Sequence, residues 1–199
     1  MSFLRIGAFT LAATALLGSP GPGIGALVAV GRSKGVVGGL KFYTALQVGL
    51  AIAAAGSAAG LTSVLEVVPA IRTVLIVVAT IYLLWLAWSV ASAPVGERAI
   101  GAGETKVGTA RGGFLLGVAN PKAYIAFASL MGSFTLLQNT VANALLKWAI
   151  CVVVMICVDL AWLWVGALVG AVKLRPTAER AMNVTMGVAI AAACAAAFL

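Results

Sequence analysis

Long apolar runs alternate with short polar segments along the 199 residues of the chain. A helix of about 20 residues crosses the roughly 30 Å core of a bilayer, and six of the runs are long enough to do so. None of them alternates between apolar and polar residues as the strands of a membrane barrel would. The pattern therefore predicts an all-α membrane protein with six transmembrane helices. The predicted spans are Ile6–Val30, Phe42–Leu61, Thr73–Ala91, Gly112–Leu137, Trp148–Val172 and Ala181–Leu199.

Two of these spans are interrupted by prolines that an unbroken helix does not tolerate. Proline has no N–H group to donate, so the carbonyls of Leu16, Gly18 and Gly117 are expected to lose their helical partners. In hydrocarbon an unpaired backbone group costs several kcal/mol, so such a break survives only inside protein or beside a wet cavity. The two breaks are Ser19-Pro20-Gly21-Pro22-Gly23 in the first span and Asn120-Pro121-Lys122 in the fourth.

The residues at both breaks are also typical of helix starts. Serine and asparagine are good N-cap residues, and proline suits the first helical position. Ser19-Pro20 and Asn120-Pro121 therefore predict two half-helices that begin in mid-membrane. Corresponding breaks in the two halves of a membrane chain indicate a transporter binding site.

Lysine and arginine are unevenly distributed between the predicted loops. The odd-numbered loops hold most of them, which predicts that these loops are cytoplasmic and that both termini lie outside. The loop Ser92–Arg111 divides a single domain, residues 1–199, into half-repeats of about 1–92 and 111–199. Because each half has three helices, the second half must enter the membrane upside down, as an inverted repeat with a broken first helix. The odd loops hold Arg32, Lys34, Lys41, Arg98, Lys106, Arg111, Lys173, Arg175 and Arg180, against Arg5, Arg72 and Lys147 on the opposite side.

Composition excludes several other classes of protein. With 63% hydrophobic and 9% charged residues, the chain is unlike a soluble domain. The net charge of +8 does not predict nucleic-acid binding, because the basic residues form no block. With no histidine, no Walker A loop and no metal-ligand cluster in the sequence, we expect neither an enzyme nor a cofactor. Cys151, Cys157 and Cys194 lie in apolar runs without a CxxC pair, which favours buried small hydrophobes over disulfides.

The first apolar run has a second interpretation. Arg5 ahead of an apolar stretch also fits a signal peptide. The run continues beyond Gly23, however, and no A-x-A cleavage site stands out. We therefore expect the first run to be a retained helix.

Lys122 and Asp159 are the two charges that the sequence places deep in the predicted spans. At 1.5 Å per residue, Lys122 lies about 15 Å along its span from Gly112. Asp159 lies about 17 Å from Trp148, so both are near the midplane. A charge at a helix centre costs about 2.5–3.5 kcal/mol and suggests a function, while a structural Lys122–Asp159 pair is the alternative. Gln47 fits either hydrogen bonding between helices or the lining of a cavity.

These polar groups suit a small zwitterionic ligand. Lys122 and the N–H groups that start the half-helices offer positive potential to a carboxylate. Asp159 and the freed carbonyls are expected to receive an ammonium group, and Asp159 is also the candidate for proton exchange. The candidate substrate-binding residues are Ser19, Pro20, Gly21, Pro22, Gly23, Gln47, Asn120, Pro121, Lys122 and Asp159.

At these same stretches the chain resembles the lysine exporter (LysE/RhtB) family of bacterial amino-acid efflux proteins. The most specific match is Asn120-Pro121-Lys122-Ala123, which follows Phe114 and Gly117. The family usually has Asn where this chain has Gly23, and Pro-Gln-Phe where it has Gly132-Ser133-Phe134. The other matches are Pro20-Gly21-Pro22, Gly31-Arg32-Ser33-Lys34-Gly35, Gly60-Leu61, Tyr82-Leu83-Leu84-Trp85, Arg180, Asn183 and Gly187.

The resemblance implies proton-driven export of amino acids across the bacterial inner membrane by a multi-pass, six-helix protein. We therefore expect a secondary transporter for amino acids or similar small amphiphilic molecules, working by proton antiport. Its expected partners are a small-molecule substrate and membrane lipid, and the sequence leaves open whether it forms a homo-oligomer. A related exporter of another cargo, such as a lipid-linked molecule or a cation, is one alternative. A non-transporting membrane assembly subunit is the other.

Overall fold

The computed structural model describes residues 3–60, parts of 73–92, residues 108–172 and residues 175–196. These residues form helices and their connections, with no β-strand among them, so the prediction of an all-α protein is confirmed. The described residues between 73 and 91 are helical as well. The helices are α1 (Phe3–Gly18), α2 (Pro22–Ala58), α3 (Ala110–Ala119), α4 (Pro121–Ser133), α5 (Thr140–Ala171) and α6 (Pro176–Ala196).

Two helices are long and apolar enough to cross a membrane by themselves. They are α2 and α5, and the pair α3 and α4 adds a third candidate span that is bent by 47° at its break. Helix α1 is shorter but also apolar. Among the described residues there are thus two or three candidate spans, which fits a membrane protein. The six-span inverted repeat stays a prediction, since much of the predicted third span lies outside the described residues.

The predicted first loop, between Val30 and Phe42, is helical. Helix α2 runs through it, and only Gly35 leaves the helical conformation, with φ 66° and ψ −176°. Residues with a side chain rarely adopt this backbone conformation, so a glycine is needed at the bend. The bend divides α2 into a segment that follows the first break and a longer segment that carries Gln47.

Helix α5 begins well before the predicted span start at Trp148. Asn139 is its N-cap, and its side chain accepts a hydrogen bond from the N–H of Ala142 at 2.9 Å. The sequence predicts that the stretch before Trp148, which holds Asn143 and Lys147, belongs to a loop. In the structure both lie on the helix and bond to backbone groups of the segment that precedes it.

Glycines allow α2 to pack directly against the backbones of α3 and α5. A Cβ atom at Gly117 of α3 would lie 2.5 Å from the carbonyl oxygen of Leu46 and 2.9 Å from Cα of Gly49. On α5, a Cβ atom at Gly166 or Gly170 would meet the carbonyl oxygens of Val28 and Arg32. Such close approach of backbones is the usual role of small residues in membrane helices. These contacts hold the two breaks in place, because α2 follows the first break and α3 leads into the second.

Candidate functional site

The first break separates α1 from α2. Helix α1 ends at Gly18, and α2 begins at Pro22 with Gly21 as its N-cap. The first backbone bond of α2 runs from the N–H of Gly25 to the carbonyl of Gly21 at 2.8 Å. The sequence predicts a helix start at Pro20, with Ser19 as the N-cap. In the structure the helix starts two residues later, at Pro22.

The carbonyls at the end of α1 are not left free. The Ser19 hydroxyl donates to the carbonyl oxygen of Leu16 at 2.9 Å. The indole N–H of Trp162, on α5, donates to the carbonyl oxygen of Gly18 at 3.3 Å. Each of these two carbonyls thus has one donor from the chain and one acceptor site left. Their binding of an ammonium group stays a prediction.

The second break lies between α3 and α4 and follows the prediction closely. Pro121 is the first residue of α4 and Asn120 is its N-cap. The backbone carbonyl of Asn120 accepts bonds from the N–H groups of Ala123 and Tyr124 at 3.1 and 3.3 Å. The Asn120 side chain, only 6% exposed, does not cap the helix, and its Oδ1 atom has no hydrogen-bond partner in the part of the chain that the structure describes.

The two breaks lie against each other although a hundred residues separate them. The Lys122 ammonium donates to the carbonyl oxygens of Ser19 and Pro20, the latter at 3.2 Å. A Cβ atom at Gly21 would lie 2.6 Å from Cδ of Lys122. The start of α4 thus fits against the unwound backbone that precedes α2.

Gly23 makes the second contact between the breaks. A Cβ atom there would lie 3.3 Å from Nδ2 of Asn120. The resembling family usually has Asn at this position, and a side chain of that size would require the Asn120 amide to move. Glycine at position 23 therefore leaves the space beside the first turn of α2 to the Asn120 side chain.

Asp159 approaches the breaks from α5. It is 6% exposed, and its Oδ2 atom accepts a hydrogen bond from Nε2 of Gln47 at 2.7 Å. The side-chain oxygen of Gln47, Oε1, is buried and has no hydrogen-bond partner among the described residues. Asp159 and Lys122 form no salt bridge within 4.0 Å. The direct Lys122–Asp159 pair, the structural alternative, is therefore absent from this conformation.

A cavity of about 40 Å³ lies where these groups meet. At roughly 10–15 Å³ of such space per water molecule, it has room for about three or four waters. Gly21, Gly23, Asn120, Lys122 and Asp159 line it together with apolar side chains of α1, α2, α4 and α5. The remaining predicted residues are close by: Ser19 and Pro20 present carbonyls to Lys122, Pro22 and Pro121 begin the half-helices, and Gln47 supports Asp159.

The sequence model of the LysE type translocator family matches residues 14–199. The chain belongs to the LysE type translocator family. The comparisons with curated proteins and with solved structures found no match. Membership implies membrane transport of amino acids or related compounds and fits a protein that is not an enzyme.

Two residues of this LysE type translocator that support the site were missed by sequence reasoning. One is Trp162, whose indole N–H needed an acceptor within an apolar span, a signal that could have been used. The other is Lys147, which had been counted as a loop charge outside the membrane. It is 5% exposed, and its ammonium donates to the carbonyls of Met131 at 2.6 Å and Phe134 at 3.0 Å. Lys147 therefore satisfies two carbonyls at the C-terminal end of α4 and joins that end to α5.

Proposed function

We propose that this protein is a secondary transporter that exports amino acids or similar small amphiphilic molecules across the bacterial inner membrane by proton antiport. The observation that carries the proposal is the convergence of both helix breaks on one cavity. In transporters, discontinuous helices commonly bind substrate at their half-helix termini. Lys122 and Asp159 line this cavity with opposite charges that are not paired with each other.

The carboxylate end of an amino acid would bind on the side of the breaks. An ammonium group has three N–H donors, and Lys122 uses two of them on the carbonyls of Ser19 and Pro20. The third donor is left for cargo. The N-termini of α2 and α4, which begin at Pro22 and Pro121, add the positive ends of their helix dipoles.

The ammonium end would bind towards α5. The Asp159 carboxylate can accept more hydrogen bonds than the one it receives from Gln47. Oδ1 of Asn120 is a buried acceptor that no donor of the described residues reaches, and Asn120 lines the same cavity. The ammonium group of an amino acid thus donates to Asp159 and Asn120, and its carboxylate accepts from Lys122.

Transport requires this cavity to widen. Its volume of about 40 Å³ accommodates a few waters and is too small for an amino acid with a side chain. The hinges available are the breaks themselves, because the chain at Ser19–Gly21 and at Asn120 lies outside regular helix. In this conformation the cavity is narrow, and movement of the half-helices would widen it towards one side of the membrane at a time.

Counterflow into liposomes tests the proposal. Purified protein is reconstituted with an unlabelled amino acid inside, and uptake of the labelled amino acid is followed for a panel of side chains. Each active amino acid is compared with its amine and its carboxylic acid analogue, which lack one of the two charged ends. We expect uptake of the zwitterion and at least a tenfold loss for both analogues. Counterflow of a cation or a lipid-linked molecule alone would contradict amino-acid transport, and no counterflow of any compound would contradict transport itself.

Proton coupling is tested in the same liposomes with Asp159→Asn. Wild-type export against a concentration gradient should follow an imposed pH gradient. Asp159→Asn should lose that response while retaining some exchange of cargo for cargo, because the amide cannot carry a proton between the two sides. An unchanged response to the pH gradient in Asp159→Asn would contradict the role of this carboxylate.

A further inference from the structure

The backbone of the first break presents a group of hydrogen-bond acceptors in the membrane. Because Pro20 and Pro22 have no N–H group, the preceding carbonyls cannot be satisfied by the backbone as in a helix. Ser19 and Trp162 satisfy the carbonyls of Leu16 and Gly18. The next two carbonyls, of Ser19 and Pro20, both accept from a single donor, the Lys122 ammonium.

Two converging carbonyl oxygens make a site for a cation. Unwound backbone carbonyls coordinate the coupling cation in transporters with broken helices. Lys122 carries a positive charge to this position, and no carboxylate of the described residues lies within 4.0 Å of its nitrogen. Its charge is therefore stabilised by the carbonyl dipoles of the break and not by an ion pair.

Gly21 supplies the space that this arrangement needs. Its φ of −173° is extended backbone, which any residue adopts, so the glycine is not required for its conformation. A Cβ atom would, however, lie 2.6 Å from Cδ and 3.0 Å from Nζ of Lys122. A side chain at position 21 would therefore occupy the space that the end of the Lys122 side chain needs to reach the carbonyls.

The unpartnered groups beside the site are acceptors as well. Asn120 lines the same cavity and is 6% exposed, and its Oδ1 atom has no donor among residues 3–60, 108–172 and the other described parts of the chain. The carbonyls of Ser19 and Pro20 thus depend on Lys122 for their donors, and Oδ1 of Asn120 adds one buried acceptor next to them. A positively charged group with N–H donors matches this set of acceptors.

We propose that Lys122 is a tethered cation, which fills a carbonyl site at the first break that would otherwise bind a free primary ammonium ion. The lysine closes this site from within the chain and ties the second break to the first. The inference goes beyond amino-acid export and does not depend on which cargo is carried, because the site is tested by binding and not by transport.

Chemical rescue of Lys122→Ala tests the tethered cation. Alanine retains Cβ of the lysine, and n-propylammonium replaces the three missing carbons and the ammonium group. We expect Lys122→Ala to unfold at a lower temperature than wild type in detergent, and n-propylammonium to raise its Tm by several degrees in a saturable way. Propyltrimethylammonium has the same charge but no N–H donor and should not act.

Lys122→Met is the matched control for this rescue. Its side chain fills the path of the lysine stem, so the carbonyls lack a donor but no amine can enter. The proposal is overturned if n-propylammonium raises the Tm of Lys122→Ala and Lys122→Met equally, or of neither. It is also overturned if Lys122→Ala is as stable as wild type without amine.

A second variant covers the case in which Lys122→Ala does not fold. Gly21→Ala keeps the lysine and expels it from the carbonyls, because only the flexible end of a side chain has to move. Acylation by a water-soluble amine reagent, measured by mass spectrometry at Lys122, should rise at least fivefold. Gly7→Ala, where a Cβ atom meets nothing within 4 Å, should leave the labelling unchanged. Equal labelling of Lys122 in wild type and Gly21→Ala would overturn the proposal.

Discussion

Replacing Gly117 by alanine should push α3 away from α2 and thereby separate the two breaks. The added Cβ atom would lie 2.5 Å from the carbonyl oxygen of Leu46, 2.8 Å from the nitrogen of Leu50 and 2.9 Å from Cα of Gly49. All three are backbone atoms, which cannot rotate away as a side chain does. Ordinary contacts of a Cβ atom lie at 3.4–4 Å, so the helices must move apart by several tenths of an ångström.

The cost follows from two opposing terms. Overpacking of this kind costs about 1–3 kcal/mol. Alanine also favours a helix over glycine by roughly 0.5–1 kcal/mol. From the middle of the two ranges, the net loss in the free energy of unfolding is about 1 kcal/mol, which lowers Tm by roughly 2–4 °C in a chain of this length.

The assay compares Gly117→Ala with Gly132→Ala. Gly132 is also helical, and a Cβ atom there meets nothing within 4 Å, so this control should be as stable as wild type or more stable. A thiol-reactive dye reports unfolding through Cys151, which is fully buried, once Cys157→Ser and Cys194→Ser have removed the other thiols. If the Gly117→Ala and Gly132→Ala proteins unfold at the same temperature, the backbone contact of Gly117 does not limit how α3 packs on α2.

Three further predictions concern the ends and breaks of the helices. Lys147→Met should lower the free energy of unfolding by about 2 kcal/mol, since two partly buried carbonyls lose their donor; thermal unfolding measures this, and wild-type stability would contradict it. Pro121→Ala should fold but lose most of its counterflow, because a restored N–H group lets α3 and α4 close into one helix; wild-type transport would show that the break is only a packing kink. A tag fused at Leu199 should be accessible only from outside intact cells, and cytoplasmic accessibility would contradict the predicted topology.

The helix breaks could be predicted because their causes are local. Pro121 fixes the start of α4 through its own missing N–H group, and Asn120 takes the N-cap position as predicted. The start of α2 was placed two residues early, because Ser19-Pro20 and Gly21-Pro22 are both reasonable N-termini on local grounds. Lys122 and Asp159 line one cavity, while their depth near the midplane stays a prediction from helical rise.

The partners of the polar groups could not be predicted, because they depend on contacts between distant parts of the chain. The acceptor of Lys122 lies 103 residues away and that of Trp162 lies 144 residues away. Lys147 could not be distinguished from a loop lysine, because only the folded end of α4 shows the carbonyls that it satisfies. The sequence allows Gln47 two roles, and its bond to Asp159 joins α2 to α5, while Gln47 is not among the residues that line the cavity.

Counterflow by four proteins tests most directly whether the cavity between the breaks handles cargo: wild type, Lys122→Met, Asp159→Leu and the double variant. If the two charges only stabilised each other, each single variant would leave a buried charge unpaired, and the double variant would recover both stability and transport. In the structure they bind separate partners, Lys122 the carbonyls of the first break and Asp159 the amide of Gln47. We therefore predict that the double variant, checked for folding by thermal unfolding, remains inactive like both single variants. A folded double variant that transports at the wild-type rate would contradict the assignment of this cavity as the cargo site.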